Sequence, residues 1–174
     1  MSWRFWLPLL IFFGFLGLAA YQLSQPRDER IVSRMIGQEL PYFELPAALG
    51  DSGTVTSADF ADGQPRLLNI WASWCPPCIA EAPHLETLRE EGAVIVGIAI
   101  RDRDEDIARF LDRHGNPYAA IGRDDLSQVQ IEMGASGVPE TFVIDGRGRI
   151  TYQHIGDVRA RDVPILLAEL DKAK

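Results

Sequence analysis

Apolar residues are unevenly distributed along this chain. Residues 5–21 read FWLPLLIFFGFLGLAAY without a charge, near the lower length limit for a helix that crosses a bilayer. Trp3, Trp6 and Tyr21 flank the run, where aromatic side chains favour the membrane–water boundary. Pro8 falls in the first turns, where proline is best tolerated. The pattern predicts one N-terminal transmembrane helix over 5–23, behind a cytoplasmic tail of residues 1–4. A cleaved signal peptide is the alternative, with Gly17 and Ala19 as small residues before a cut. The run exceeds a usual signal core, which favours the anchor. A polar linker over 24–38 then leads into a domain of residues 39–174.

Within the domain, the prolines around residues 41–46 predict a short edge strand, and GDSG at 50–53 a turn. Ser57 is placed to cap a helical turn over 57–60. Residues 67–72 (LLNIWA) form a buried strand. From 76 to 91 the period becomes helical, with Ile79, Ala82, Leu85 and Leu88 on one face. Pro83 should bend this helix and Gly92 ends it. Residues 93–100 (AVIVGIAI) are too apolar for an exposed strand and predict a central parallel one. An amphipathic helix over 104–114, a short strand over 118–121 and a helical turn or two over 126–133 follow. Residues 141–145 and 150–155 make an antiparallel hairpin around Gly146 and Gly148. A last helix spans 163–170, with Pro164 in its first turn. The order βαβαβ then ββα predicts an α/β fold with a mixed central sheet flanked by helices.

Composition narrows the chemistry. The 174 residues carry a net charge of −8, which disfavours nucleic-acid binding, since that needs a basic footprint. Only two cysteines occur, Cys75 and Cys78. A bridge between them closes a tiny loop and restricts the unfolded chain very little, so they are better explained by reactivity. They stand in Trp74-Cys75-Pro76-Pro77-Cys78, where a strand hands over to a helix. A cysteine at a helix N-terminus is favoured as thiolate, and only the thiolate attacks a disulfide. Cys78, one turn on, is placed to resolve the mixed disulfide. Zinc would need four ligands, and His84, His114 and His154 have no paired spacing. Haem attachment would need a histidine where Ile79 stands. No cofactor beyond the cysteine pair is expected.

Strand–WCxxC–helix, Pro83 after the motif, and Val138-Pro139 before a hairpin strand resemble the thioredoxin superfamily over roughly 40–170. The N-terminal anchor, LLNIWASWCPPC, CIAE, GNPYA and GVPETFVIDGRG resemble, more closely, the DsbE/CcmG family of cytochrome c maturation. That resemblance implies a thioredoxin-like fold, a cis peptide at Pro139 packed on the redox pair, and a reductive role. The implied partners are apocytochrome c or its maturation proteins, whose CxxCH thiols are kept reduced for haem attachment, and a membrane donor that re-reduces the pair. Thioredoxins carry a buried Asp where this chain has Asn69. The family has acidic residues at the positions of Glu81 and Glu140, and these are expected to raise the thiol pKa values. Trp74 is expected to cover the pair and meet partners.

Redox chemistry places the domain in the periplasm, outside a bacterial inner membrane. The charges at Arg4 against Arg27, Arg30 and Arg34 point the other way by simple count, although long domains translocate largely regardless of such charges. Two alternatives stay open. One is a general extracytoplasmic thiol reductase or oxidase. The other is a copper chaperone without turnover, disfavoured by the lack of a neighbouring His or Met ligand.

Overall fold

The computed structural model describes residues 6–24, 35–50 and 53–174. The tail 1–4, most of the linker, and Asp51 and Ser52 of the expected turn lie outside the described residues. The chain divides into two units, Met1–Val32 and Ser33–Lys174. In the first, α1 (Trp6–Ser24) forms over the predicted apolar run. Its described side chains are all exposed, and Trp6, Phe12, Phe13, Phe15 and Tyr21 are among them. At about 1.5 Å per residue its 19 residues span about 28 Å. Among the described residues, no helix is long and apolar enough to cross a membrane. The predicted helix is therefore present, and the predicted crossing is not supplied by the structure.

The second unit begins with β1 (Glu44–Pro46), β2 (Thr54–Thr56) and a short 3-10 helix (Ser57–Phe60). Then come β3 (Arg66–Trp71), α2 (Pro76–Glu90), β4 (Ile95–Ile100) and α3 (Asp104–His114). The chain finishes with β5 (Ala120–Asp124), α4 (Gln128–Glu132), β6 (Glu140–Ile144), β7 (Ile150–Ile155) and α5 (Val163–Lys172). Five strands form one sheet in the order β5-β4-β3-β6-β7. β3, β4 and β5 are parallel, and β6 runs antiparallel to both β3 and β7. This is the predicted mixed sheet.

Side-chain alternation assigns its two faces. Asn69 pairs with Thr141 and Gly97, and its amide meets Glu81 of α2. Trp71 shares that parity and packs on Phe110 of α3. Both crossover helices therefore lie on one face, as right-handed connections in a single direction require. Opposite parity belongs to Leu68, Ile70, Ile98 and Gly122. The β1–β2 hairpin covers that face: a Cβ at Gly122 would meet Leu45 and Val55.

Several expectations change. The 3-10 helix is capped by Thr56 rather than Ser57. Asp59 accepts from Thr56 N–H at 2.7 Å, while the Ser57 hydroxyl accepts from Phe43 N–H. β2 has only three residues and no periodicity to reveal it. On α2, Ala82, Leu85 and Leu88 are buried as predicted, but Ile79 is exposed, and Cys78 and Glu81 take the inner positions. The helix runs on through Pro83. The strand expected at 118–121 forms at Ala120–Asp124 instead: Tyr118 N–H donates to Asn116 Oδ1 at 3.1 Å, and bonding to β4 begins with Ala119 N–H on Ile95 O. Ahead of β1, Gly37 N–H donates to Ile150 O, so hydrogen bonding to the sheet begins upstream of residue 39.

Candidate active site

β3 is apolar enough to be buried, and it ends at Trp71. Ala72, Ser73 and Trp74 turn the chain, and α2 starts at Pro76 with Cys75 as its N-cap. Two prolines at the first helical positions forfeit no hydrogen bond, because those N–H groups lack intrahelical partners anyway. Cys75 Sγ accepts from Cys78 N–H at 3.3 Å. Cys75 and Cys78 form a disulfide, with Cα atoms 5.3 Å apart, and both residues are only 2% exposed. The Val138–Pro139 peptide is cis, as expected. The Val138 carbonyl stands 3.6 Å from Cys75 Sγ, an acceptor for the thiol when the pair is reduced.

The loop is tied to the end of β4. Asp102 accepts from Ser73 N–H at 2.6 Å and from its hydroxyl at 2.8 Å. Arg101 adopts a left-handed backbone, φ 46°. Its carbonyl accepts from Trp74 Nε1 at 3.2 Å, and its Nε donates to Ser127 Oγ at 2.9 Å. Trp74 is 54% exposed, so it borders the pair and leaves a broad face free for a partner. Sequence reasoning missed Arg101 and Asp102. Their position directly after an all-apolar parallel strand was the available signal, since sites gather at the carboxyl ends of such strands.

Glu81 is completely buried, one turn along α2 from Cys78. Asn69 Nδ2 donates to its Oε1 at 3.1 Å, and Val158 N–H to its Oε2 at 3.1 Å. These bonds favour the carboxylate. Burial outweighs them and, helped by the nearby Asp157 charge, pushes the pKa up to about 8. Asn69 is buried too, and it also donates to Thr141 Oγ1 at 3.0 Å and accepts from Tyr118 Oη at 2.8 Å. Tyr118 and Thr141 were not anticipated as members of this cluster, because they come from distant segments.

Glu140 is fully buried as well, and burial raises its pKa. It pairs with Ile70 and alternates with Thr141, so its carboxyl lies on the sheet face opposite Asn69 and Glu81. There it accepts from Ser136 N–H at 2.9 Å and from Gln153 Nε2. The two acids therefore do not form a pair. Among the described residues, no group of three or more His, Cys, Asp or Glu side chains could hold a metal ion.

A pair of sulfurs that can exist as dithiol or disulfide, at a helix N-terminus beside a buried acid, is equipped for thiol–disulfide exchange. The pattern that defines the Redoxin family matches residues 35–170. The thiol:disulfide interchange protein HelX of Rhodobacter capsulatus is 37% identical over 166 residues, covering 93% of this chain and 94% of that one. The thiol:disulfide interchange protein DsbE of Escherichia coli K12 is 36% identical, covering 89% and 86%. The crystal structure of a putative DsbE from Chlorobium tepidum superposes with a TM-score of 0.67 at 27% identity, covering 78% of this chain and 94% of that one. The chain thus belongs to the Redoxin family, among the DsbE-type thiol:disulfide interchange proteins of thioredoxin-like fold, and is a thiol:disulfide oxidoreductase.

Proposed function

We propose that this oxidoreductase is a membrane-anchored reductant of cytochrome c maturation, which keeps apocytochrome c CxxCH thiols reduced for haem attachment. The uncharged run at 5–21 and the exposure of the described α1 side chains support the anchor. Block-by-block resemblance from LLNIWASWCPPC to GVPETFVIDGRG supports the pathway. A periplasmic location follows from the redox role.

The single observation that carries the reductive direction is Glu81, buried one turn beyond Cys78. With its pKa at about 8, Glu81 is mainly the neutral acid near pH 7; the burial that disfavours its carboxylate also disfavours a thiolate at Cys78, and the ionised fraction of Glu81 adds repulsion. A reduced form that is not stabilised as thiolate releases its electrons more readily, the inverse of strong oxidases with low thiol pKa. The helix N-terminus opposes this at Cys75; to Glu81, one turn along α2 from Cys78, we assign the proton of that thiol.

In the forward reaction, Cys75 thiolate attacks one sulfur of the client disulfide. The Cys75–client bond forms, and the other client sulfur leaves as thiolate. Cys78 then gives its proton to Glu81 and attacks Cys75 Sγ. The Cys75–Cys78 bond forms as the Cys75–client bond breaks, and the second client sulfur departs with the electron pair and takes a proton from water. Two electrons pass to the client, and a membrane dithiol donor restores the pair. The test is the reduction potential together with rescue of cytochrome c assembly in a strain lacking its own reductant. A potential well below about −120 mV, the range of strong periplasmic oxidases, and rescue are expected. An oxidase-like potential would overturn the reductive reading.

A further inference from the structure

Buried polar groups on the α2 side of the sheet form one unbroken chain. Tyr118 Oη donates to Asn69 Oδ1 at 2.8 Å. Asn69 Nδ2 donates to Glu81 Oε1 at 3.1 Å and to Thr141 Oγ1 at 3.0 Å. The amide has one acceptor atom and two donor hydrogens, and all are used. A half-turn of an amide exchanges donor for acceptor. Turned as found, Asn69 offers N–H to Glu81 and favours the carboxylate. Turned over, it offers C=O and favours the carboxylic acid. Burial and the adjacent Glu81 hold the Tyr118 phenol protonated, with its pKa well above the ordinary value. It therefore always has a proton to donate, and that proton finds an acceptor only when Oδ1 faces it.

We propose that Tyr118 is a positioning residue for thiol–disulfide exchange: its hydroxyl fixes the Asn69 amide with N–H toward Glu81, and so keeps Glu81 a proton acceptor for Cys78. This rests on the proton-acceptor role given to Glu81 above. Of the other titratable groups, Asp157 ahead of α5 acts on Glu81, with its own charge held by Arg159, and Cys78 lies one turn before Glu81 on the same helix. Beyond them lie His154 and Asp162, 3.9 Å apart. Tyr118 alone of these groups bonds to the Asn69 amide oxygen among the described residues.

Tyr118→Phe keeps the ring that stacks on Trp71 at 5.1 Å and removes only the hydroxyl. The full chain in detergent is used. Carbon-13 NMR of the Glu81 carboxyl in the oxidised protein reads its titration directly. Its midpoint is expected to rise by about one pH unit, the size of one lost hydrogen bond in a charge-bearing network. The acidic limb of the pH–rate profile for reduction of oxidised glutathione should rise with it. An unchanged or lowered midpoint overturns the proposal. The unsubstituted protein gives a second reading, which also decides the matter if the Phe variant does not fold. Asn69 Nδ2 protons should show stronger nuclear Overhauser contacts to Thr141 than to the Tyr118 ring, and the reverse overturns the proposal. An unsubstituted protein unable to reduce glutathione would instead sink the functional reading, while the carboxyl titration still decides the role of Tyr118.

Discussion

Glu81 links the chemistry of the site to the stability of the fold. Its pKa rises from 4.5 to about 8 on folding, so between those values the folded state binds the extra proton. Stability from this group is therefore fully present below pH 4.5 and is lost as pH climbs through 8. Glu81→Gln keeps an amide partner for Asn69 and removes the titration. Its amide has one oxygen for the two donors that Glu81 accepts from, so the Val158 N–H faces an NH2 group, a cost common to both pH values. The gain over the parent is expected to be larger at pH 8 than at pH 5 by about 3 kcal/mol, discounted from about 1.4 kcal/mol per pH unit for relaxation around the buried charge. Urea unfolding at both pH values checks this; an equal gain at both would mean that Glu81 does not titrate on folding as described. At the sulfurs, Cys75→Ser should abolish turnover, whereas Cys78→Ser should trap a mixed disulfide with the client, visible on non-reducing gels. Normal turnover by the Cys75→Ser protein would show that the nucleophile is misassigned.

At the level of elements, the site is a junction between β3, the start of α2, and the loops beyond β4 and α4. Asp102 clamps the junction through both Ser73 bonds. Asp102→Ala leaves those donors without that partner and is expected to cost about 1–3 kcal/mol in thermal or urea unfolding. The β6–β7 hairpin is limited by backbone rather than side chains. A Cβ on Gly146 would collide with the main chain of Gly63, which has no flexible end to move aside. Gly146→Ala should therefore destabilise the domain by more than the usual overpacking penalty of about 1–3 kcal/mol. A melting temperature equal to the parent's would show that the two turns separate freely.

For the molecule as a whole, the N-terminal unit and the domain answer different demands. α1 exposes apolar side chains around its described length, an arrangement that suits lipid better than water. The domain carries its own core on both faces of the sheet. A reporter fused after Lys174 should be active only as a periplasmic-type fusion, with the full chain recovered in the membrane fraction. Cytoplasmic reporter activity would reverse the proposed orientation and side with the arginine count.

Local pattern determined a great deal. The apolar runs at 67–72 and 93–100 specify buried strands, because only a sheet covered on both sides accommodates them. Asp104–His114 is legible to the residue, because acidic residues open it, basic residues close it and Gly115 stops it. The cysteine pair is legible because two sulfurs three residues apart at a strand–helix boundary have little structural use. Partnerships across the sheet were decided by the tertiary structure. Sequence alone does not place Tyr118 against Asn69, forty-nine residues away, nor Glu81 against the backbone of Val158. Nor does it send Glu81 and Glu140 to opposite faces, which follows from strand register. The reason is physical: helix, strand and turn preferences act between neighbours, whereas burial of a charge and the acidity that results depend on which distant chain segments exclude the water.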